Sequence, residues 1–210
     1  MNTTKKEVAY KEIKALILGS REKKEKINLS ENFLVKKLKM SRTPIREALQ
    51  RLQLEGLIKI IPQKGIVIQD ILVEEIREIY DIRIALEEFV VREIAPLIKD
   101  EDICQLESLL KEQAAYLDPP DPVNFHKADR EFHSYLLKLY GNSMIQEFMS
   151  NLRDRIYLAN LSLLKSRENI RLFYEEHIRI KDALKERDGK KAALAMDIHL
   201  KGGKMRLMNL

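Results

Sequence analysis

Four potential metal ligands in the second half of this 210-residue chain are the residues best suited to chemistry. Asp129 and His133 stand four apart, which on a helix puts a carboxylate and an imidazole on one face. His177 and His199 follow, each among apolar neighbours: Ile178 and Ile180 beside the first, Ile198 and Leu200 beside the second. One carboxylate and three imidazoles converging from three helices would suit zinc, nickel, manganese or iron, and would leave positions open for water or a ligand. Spacing alone equally allows hydrogen-bonded core histidines, which need no metal. His126, seven residues before His133, reads as a surface residue or one standing behind the ligands. Glu131 and Glu176 each adjoin a presumed ligand and so point off its face, which leaves no evident base or nucleophile beside the four.

A second constellation lies near the N-terminus. The stretch Ser41–Ile58 opens with Ser41, Arg42 and Thr43, places Pro44 just inside a helix start, and carries Arg46 on the same polar face. Ile45, Ala48, Leu49, Leu52 and Leu54 to Leu57 form an apolar stripe at helical spacing, and Gly56 supplies a stop. A helix that buries one stripe and offers Arg and Thr at its N-terminal end is built to read base edges in a major groove. A basic amphipathic surface helix would show the same periodicity, so the flanking elements decide.

Val8, Ile13, Leu16 and Ile17 mark a first helix over Val8–Leu18 ending at Gly19, followed by a charged connector, Arg21–Lys26. Ser30 caps a short helix through Leu38, and the turn Lys39–Ser41 joins it to the next. Ile58–Ile61 and Ile66–Ile68 flank Pro62-Gln63-Lys64-Gly65, a hairpin with Gly65 in the bend and Gln63 and Lys64 at its tip. Helix, helix-turn-helix and basic hairpin in this order make a winged helix, with the wing tip placed against DNA backbone or minor groove.

Charge agrees. Through Gln69 there are 16 Lys+Arg against 7 Asp+Glu; from Asp70 onward there are 22 against 26. A basic first third on a mildly acidic remainder points to one domain for a polyanion and one for something else. We therefore expect a mainly α protein: a winged helix-turn-helix over 1–69, then an all-helical bundle of about six helices over 70–210. The bundle helices are expected at Val73–Leu97, Glu101–Leu117, Pro122–Leu139, Ser143–Leu164, Ile170–Glu186 and Lys190–Met208. No apolar run approaches 18 residues and the N-terminus lacks a signal-peptide core, so a cytoplasmic protein without membrane partners is expected. The single cysteine, Cys104, is read as apolar filler.

Residues 8–68 resemble the winged-helix domain of GntR-family transcription regulators, through SRTPIREALQRL, EGLI and the P-x-x-G that follows. The resemblance implies that Ser41, Arg42, Thr43 and Arg46 contact bases and phosphates and that Gly65 is the wing-tip glycine. Asn32 stands where many members have arginine and Lys39 where they have glycine. Residues 73–208 resemble the FCD effector domain: Arg83 with Glu87, Asp129 to His133 (D-x-x-F-H), Gly141-Asn142, Glu176-His177 with Ala183, and Ala195 to Leu200. By that resemblance Asp129, His133, His177 and His199 are the metal ligands, with zinc foremost and nickel, manganese or iron as alternatives, and a small organic acid is the effector. A ligand carboxylate would replace metal-bound water, and Arg83 would take a second anionic group, unless it is an exposed helix cation paired with Glu87. The expectation is a DNA-binding regulator, a repressor, whose homodimer reads a palindromic operator. Its alternatives are a metal-dependent hydrolase or oxygenase carrying an appended winged helix, and a regulator whose metal is purely structural.

Overall fold

In the computed structural model, residues 4–23, 28–61, 65–160, 163 and 166–209 are described. The chain divides into two compact units, Met1–Ile71 and Leu72–Leu210.

In the first unit, α1 (Lys5–Lys23) buries Ala9, Ile13 and Ile17, four apart on one face. This helix runs through Gly19 to Lys23, so neither the expected stop nor a connector at Arg21 holds. A lone glycine costs a helix only about 1 kcal/mol, and neither Gly19 nor Ser20 turns left-handed. Helix α2 (Glu31–Leu38) starts at Ser30, whose hydroxyl accepts a hydrogen bond from the Phe33 backbone N–H at 3.1 Å. It stops because Lys39 adopts a left-handed conformation (φ 52°), the geometry that favours glycine.

Helix α3 (Arg42–Leu54) packs on α1 and α2 through Pro44, Ile45, Ala48, Leu49 and Leu52. Leu54, expected in that stripe, is 89% exposed: it lies two residues past Leu52, on the opposite side of the helix. The stripe resumes beyond the helix end. Gly56 (φ 72°) reverses the chain, its N–H bonding Gln53 O while the Leu57 N–H bonds Leu52 O, and Leu57 folds back into the core. Strands β1 (Ile58–Ile61) and β2 (Gly65–Ile68) pair antiparallel from Ile58↔Ile68 to Ile61↔Gly65. A feature not read from the sequence is Leu29, which bridges to Ile66 across the free edge of β2. Gly65 (φ 97°) is required there, because a Cβ would also press within 3.3 Å of the Leu29 carbonyl oxygen. Pro62, Gln63 and Lys64, the wing tip, lie outside the described residues.

The second unit holds six helices among its described residues: α4 (Val73–Ile94), α5 (Asp100–Ala114), α6 (Pro122–Tyr140), α7 (Ser143–Asn160), α8 (Arg167–Lys185) and α9 (Gly189–Met208). Three of the breaks have a clear local cause. Pro96 forces a single 3-10 turn after α4, left-handed Gly141 ends α6, and the Asp188 carboxylate caps α9 by accepting from the Lys190 and Lys191 N–H groups. Helix α7 is described to Asn160, and its expected end at Leu164 lies outside the described residues. Helices α4 and α9 pack most closely, α8 lies along α9, and α5 and α6 close the core around Tyr80, Leu106, Phe125 and Phe132. Gly203 makes the α4–α9 approach possible: a Cβ there would fall 3.0 Å from the Tyr80 hydroxyl. Cys104 is exposed rather than buried, since Ile103, Leu106 and Leu110 define the inner face of α5. No described helix is long and apolar enough to cross a membrane.

Candidate functional site

In the first unit, the exposed end of α3 presents Ser41, Arg42, Thr43 and Arg46 to solvent. The two guanidiniums gather on one carboxylate at the start of α2. Arg46 Nε donates to Glu31 Oε2 at 2.9 Å, Arg42 Nε lies 3.7 Å from Glu31 Oε1, and Arg42 Nη2 donates to Asn32 Oδ1 at 3.4 Å. Both arginine side chains are more than 60% exposed, so these pairs are weak and exchangeable for phosphate or base oxygens. Arg42 is thus shared between Asn32 and Glu31. Gly65 sits beside this face at the head of β2, while Gln63 and Lys64 fall outside the described residues.

In the second unit the structure brings together the three expected histidines. His133 on α6, His177 on α8 and His199 on α9 each offer a ring nitrogen within 4.8 Å of the others, and all are buried. Each Nδ1 is held from outside the cluster by a different acceptor. His133 Nδ1 pairs with Glu87 Oε2, His177 Nδ1 with Gln113 Oε1 at 2.8 Å, and His199 Nδ1 with Glu176 Oε2 at 2.9 Å. Bonds of this kind fix the tautomer and leave the lone pair on Nε2, which in His133 lies 3.5 Å from Arg83 Nη2. Asp129 Oδ1 faces the same point, 3.4 Å from His177 Nε2 and 3.9 Å from His133 Nε2. His177 Nε2 is buried with no hydrogen-bond partner, the kind of unfilled valence a bound ion would satisfy.

Two buried carboxylates behind the imidazoles are themselves neutralised by arginine. Glu87 accepts from Arg83 Nε at 2.7 Å, and Glu176 takes both Arg206 Nη atoms at 3.1 Å. Burial alone would raise the Glu87 carboxyl, but Arg83 and His133 hold it far below the usual carboxylate range. Burial drives His177 well down, reinforced by His199, His133 and Arg83, and it lowers His199 despite the opposing Glu176 bond. His177 and His199 are therefore uncharged imidazoles, the form that ligates metal.

Three sequence readings change here. Glu176 does not point away uselessly: the 100° step from His177 aims it at α9, where it holds His199. His126 is buried rather than superficial, at 5% exposure, with its ring on Tyr157. Arg83 does pair with Glu87, yet it is buried, not an exposed helix cation, and its Nη2 lies 3.5 Å from His133 Nε2. Gln113 was missed altogether. Nothing local marks it, because its partner lies 64 residues away.

Beside the cluster opens a cavity of about 340 Å³ between α4, α6 and α7, lined by Arg83, Asp129 and His133 at one end and by Arg130 and Arg153 among others. That is the small end of the range for ligand sites.

Residues 5–68 match the family of bacterial regulatory proteins called gntR, and residues 78–202 match the FCD domain. The chain belongs to the GntR family. Among its relatives, the HTH-type transcriptional repressor RspR of Escherichia coli K12 is 30% identical over 82% of this chain and 75% of its own length. The gluconate operon transcriptional repressor of Bacillus subtilis is 32% identical over 73% of this chain and 62% of its own length. The solved structure of E. coli McbR/YncC superposes with a TM-score of 0.80 over 98% of both chains at 20% identity, a likeness of fold. This GntR protein is thus a DNA-binding transcriptional regulator with an FCD domain, and the enzyme alternative falls: its relatives and its architecture are those of regulators.

Proposed function

We propose that this GntR-family protein is a repressor whose homodimer binds a palindromic operator through residues 1–69, and that a small carboxylate bound within residues 70–210 switches it. Asp129, His133, His177 and His199 would hold a divalent ion, zinc in the first instance. The observation that supports this reading is the outward anchoring of all three Nδ1 atoms of imidazoles that each offer a ring nitrogen within 4.8 Å of the others, with Asp129 Oδ1 beside His177 and His133 at the end of a cavity.

A metal bound there keeps net positive charge and supplies open coordination positions for an oxygen ligand. The chain's own residues do the rest. Glu87, Gln113 and Glu176 keep the imidazoles oriented and in the metal-binding tautomer. Arg83, close beside His133 Nε2, adds a fixed cation for an acid at the same end of the cavity. On DNA, Arg42 and Arg46 exchange Glu31 and Asn32 for phosphate and base oxygens, Ser41 and Thr43 offer hydroxyls, and Gln63, Lys64 and Gly65 form the wing contact. One winged helix makes too few contacts for operator-level specificity, and two-fold symmetry doubles them. The acid acts by binding one spacing of the two winged helices more tightly than the other.

The test is operator binding measured by fluorescence anisotropy with metal-loaded and stripped protein across a panel of small carboxylic acids. One acid should change operator affinity in the loaded protein only, and His177→Ala should abolish that response while leaving basal operator affinity intact. A response that persists in the stripped protein or in His177→Ala would refute a metal-centred switch.

A further inference from the structure

The cavity carries more polar groups than its imidazole end requires. His126 is 5% exposed, and its Nδ1 is buried without a hydrogen-bond partner; the nearest carboxylate oxygen, Asp129 Oδ2, is 3.9 Å away. Arg130 gives Nη2 to Glu131 at 3.1 Å, but its Nε is buried and also lacks a partner. Arg153, half-buried on α7, donates Nη2 to the neutral Ser150 hydroxyl at 3.0 Å. All three residues line this one cavity. Buried donors and acceptors without partners are uncommon in folded proteins, and their coincidence in a hollow points to something that fills it.

Charge narrows what that is. Arg83 and Glu87 cancel as a buried pair, and Asp129 faces the imidazoles. Away from that end the lining has Arg130 and Arg153 against the exposed carboxylate of Glu147, and although Arg130 Nη2 is also paired with Glu131 outside the lining, its Nε has no partner. A ligand with one anionic group at the imidazole end and one more here would match the cavity; a hydrocarbon tail would bury Arg130 Nε still unpaired.

We propose that this cavity takes a small dicarboxylate, with one carboxylate at the Asp129–His133–His177–His199 centre, the other received by Arg130 and Arg153, and His126 hydrogen-bonding the bound acid. This rests on the metal-centred reading given above and adds to it the ligand class and the residues that select it. Burial keeps His126 uncharged, its pKa down to about 4, so it contributes a hydrogen bond while the two arginines contribute the charge.

Matched acids test the proposal: butyrate against succinate and pentanoate against glutarate, titrated calorimetrically into the metal-loaded full-length protein, with metal content measured on each sample. The dicarboxylate of a pair should bind at least about tenfold more tightly than its monocarboxylate, the scale of one added charge-assisted bidentate contact. Arg153→Ala should erase that advantage without changing monocarboxylate affinity, and Arg153→Lys should keep part of it. Equal affinity for the two acids in the unaltered protein overturns the proposal, and so does an Arg153→Ala variant that weakens both acids alike. If neither acid binds the metal-loaded protein, the metal-centred reading fails and takes this one with it. Unequal fates of the two acids are what separate the two claims.

Discussion

The same pair of residue types, arginine with glutamate, appears in both units of this GntR protein and does opposite work. In the winged helix Arg46 meets Glu31 at the surface, with the arginine side chain 61% exposed. In the helical unit Arg83 meets Glu87 at 2.7 Å with both side chains at most 5% exposed. An exposed pair contributes roughly 0–1 kcal/mol and trades partners readily. A buried pair has already lost its water, so neither member can be removed without stranding the other. Accessibility, then, separates a reading surface from a scaffold. On the proposed reading, arginines that would let go of glutamate to take phosphate stay in water, and Arg83, which keeps the Glu87 carboxylate aligned on His133, is walled in.

The sharpest way to break that contrast is truncation. Arg83→Ala should destabilise the helical unit by about 3–5 kcal/mol, because it strips the buried Glu87 carboxylate of its arginine and leaves it only the His133 Nδ1 contact; urea denaturation followed by circular dichroism measures it. Arg46→Ala should shift stability by no more than about 1 kcal/mol. It should nevertheless weaken specific operator binding by about 1–3 kcal/mol if the guanidinium reads a base. An equal loss on unrelated DNA would make Arg46 a phosphate clamp instead. A surface effect at Arg83, or a core effect at Arg46, would dissolve the distinction.

Acid sharpens the comparison at lower cost. His126, His177 and His199 are uncharged in the folded helical unit and titrate near 6.5 when unfolded. A depressed histidine pKa favours folding above about pH 6.5 and loses that contribution as pH falls below it. For His126, with a folded value of about 4, the loss at pH 5 comes to about 2 kcal/mol. Metal-stripped protein should therefore melt at markedly lower temperature at pH 5 than at pH 7.5, with the transition of the helical unit moving and that of the histidine-free winged helix nearly fixed. Calorimetry resolving the two transitions would show it. The smallest effect is expected at Lys39, where a lysine holds φ 52° in the helix-turn-helix turn. Lys39→Gly should raise the stability of the winged helix by about 1 kcal/mol through relief of left-handed strain, partly offset by the entropy of the unfolded glycine.

Much of this was legible in the chain because it is local. Ser30 capping α2, Gly56 following α3 and the Pro96 and Gly141 breaks are read over a few residues, and each appears in the fold. Of the four expected ligands, the three histidines meet, and Asp129 faces them at 3.4 Å or more. What periodicity could not supply is the set of partners that come from distant helices. Glu176 looked misdirected because only its own helix was visible; Gln113 carried no signal; His126 turned inward against Tyr157. Gly19 misled for the opposite reason, a local stop signal overridden by a helix whose buried face continues through Ser20.

The central claim is that the three imidazoles and Asp129 form a metal site, and native mass spectrometry with elemental analysis of the purified protein tests it most directly. The account predicts one divalent ion per chain, lost in His177→Ala and in His133→Ala while both variants keep their helical content. Metal-free protein that cannot be loaded with zinc, nickel, manganese or iron, or a His177→Ala variant that retains its ion, would contradict it.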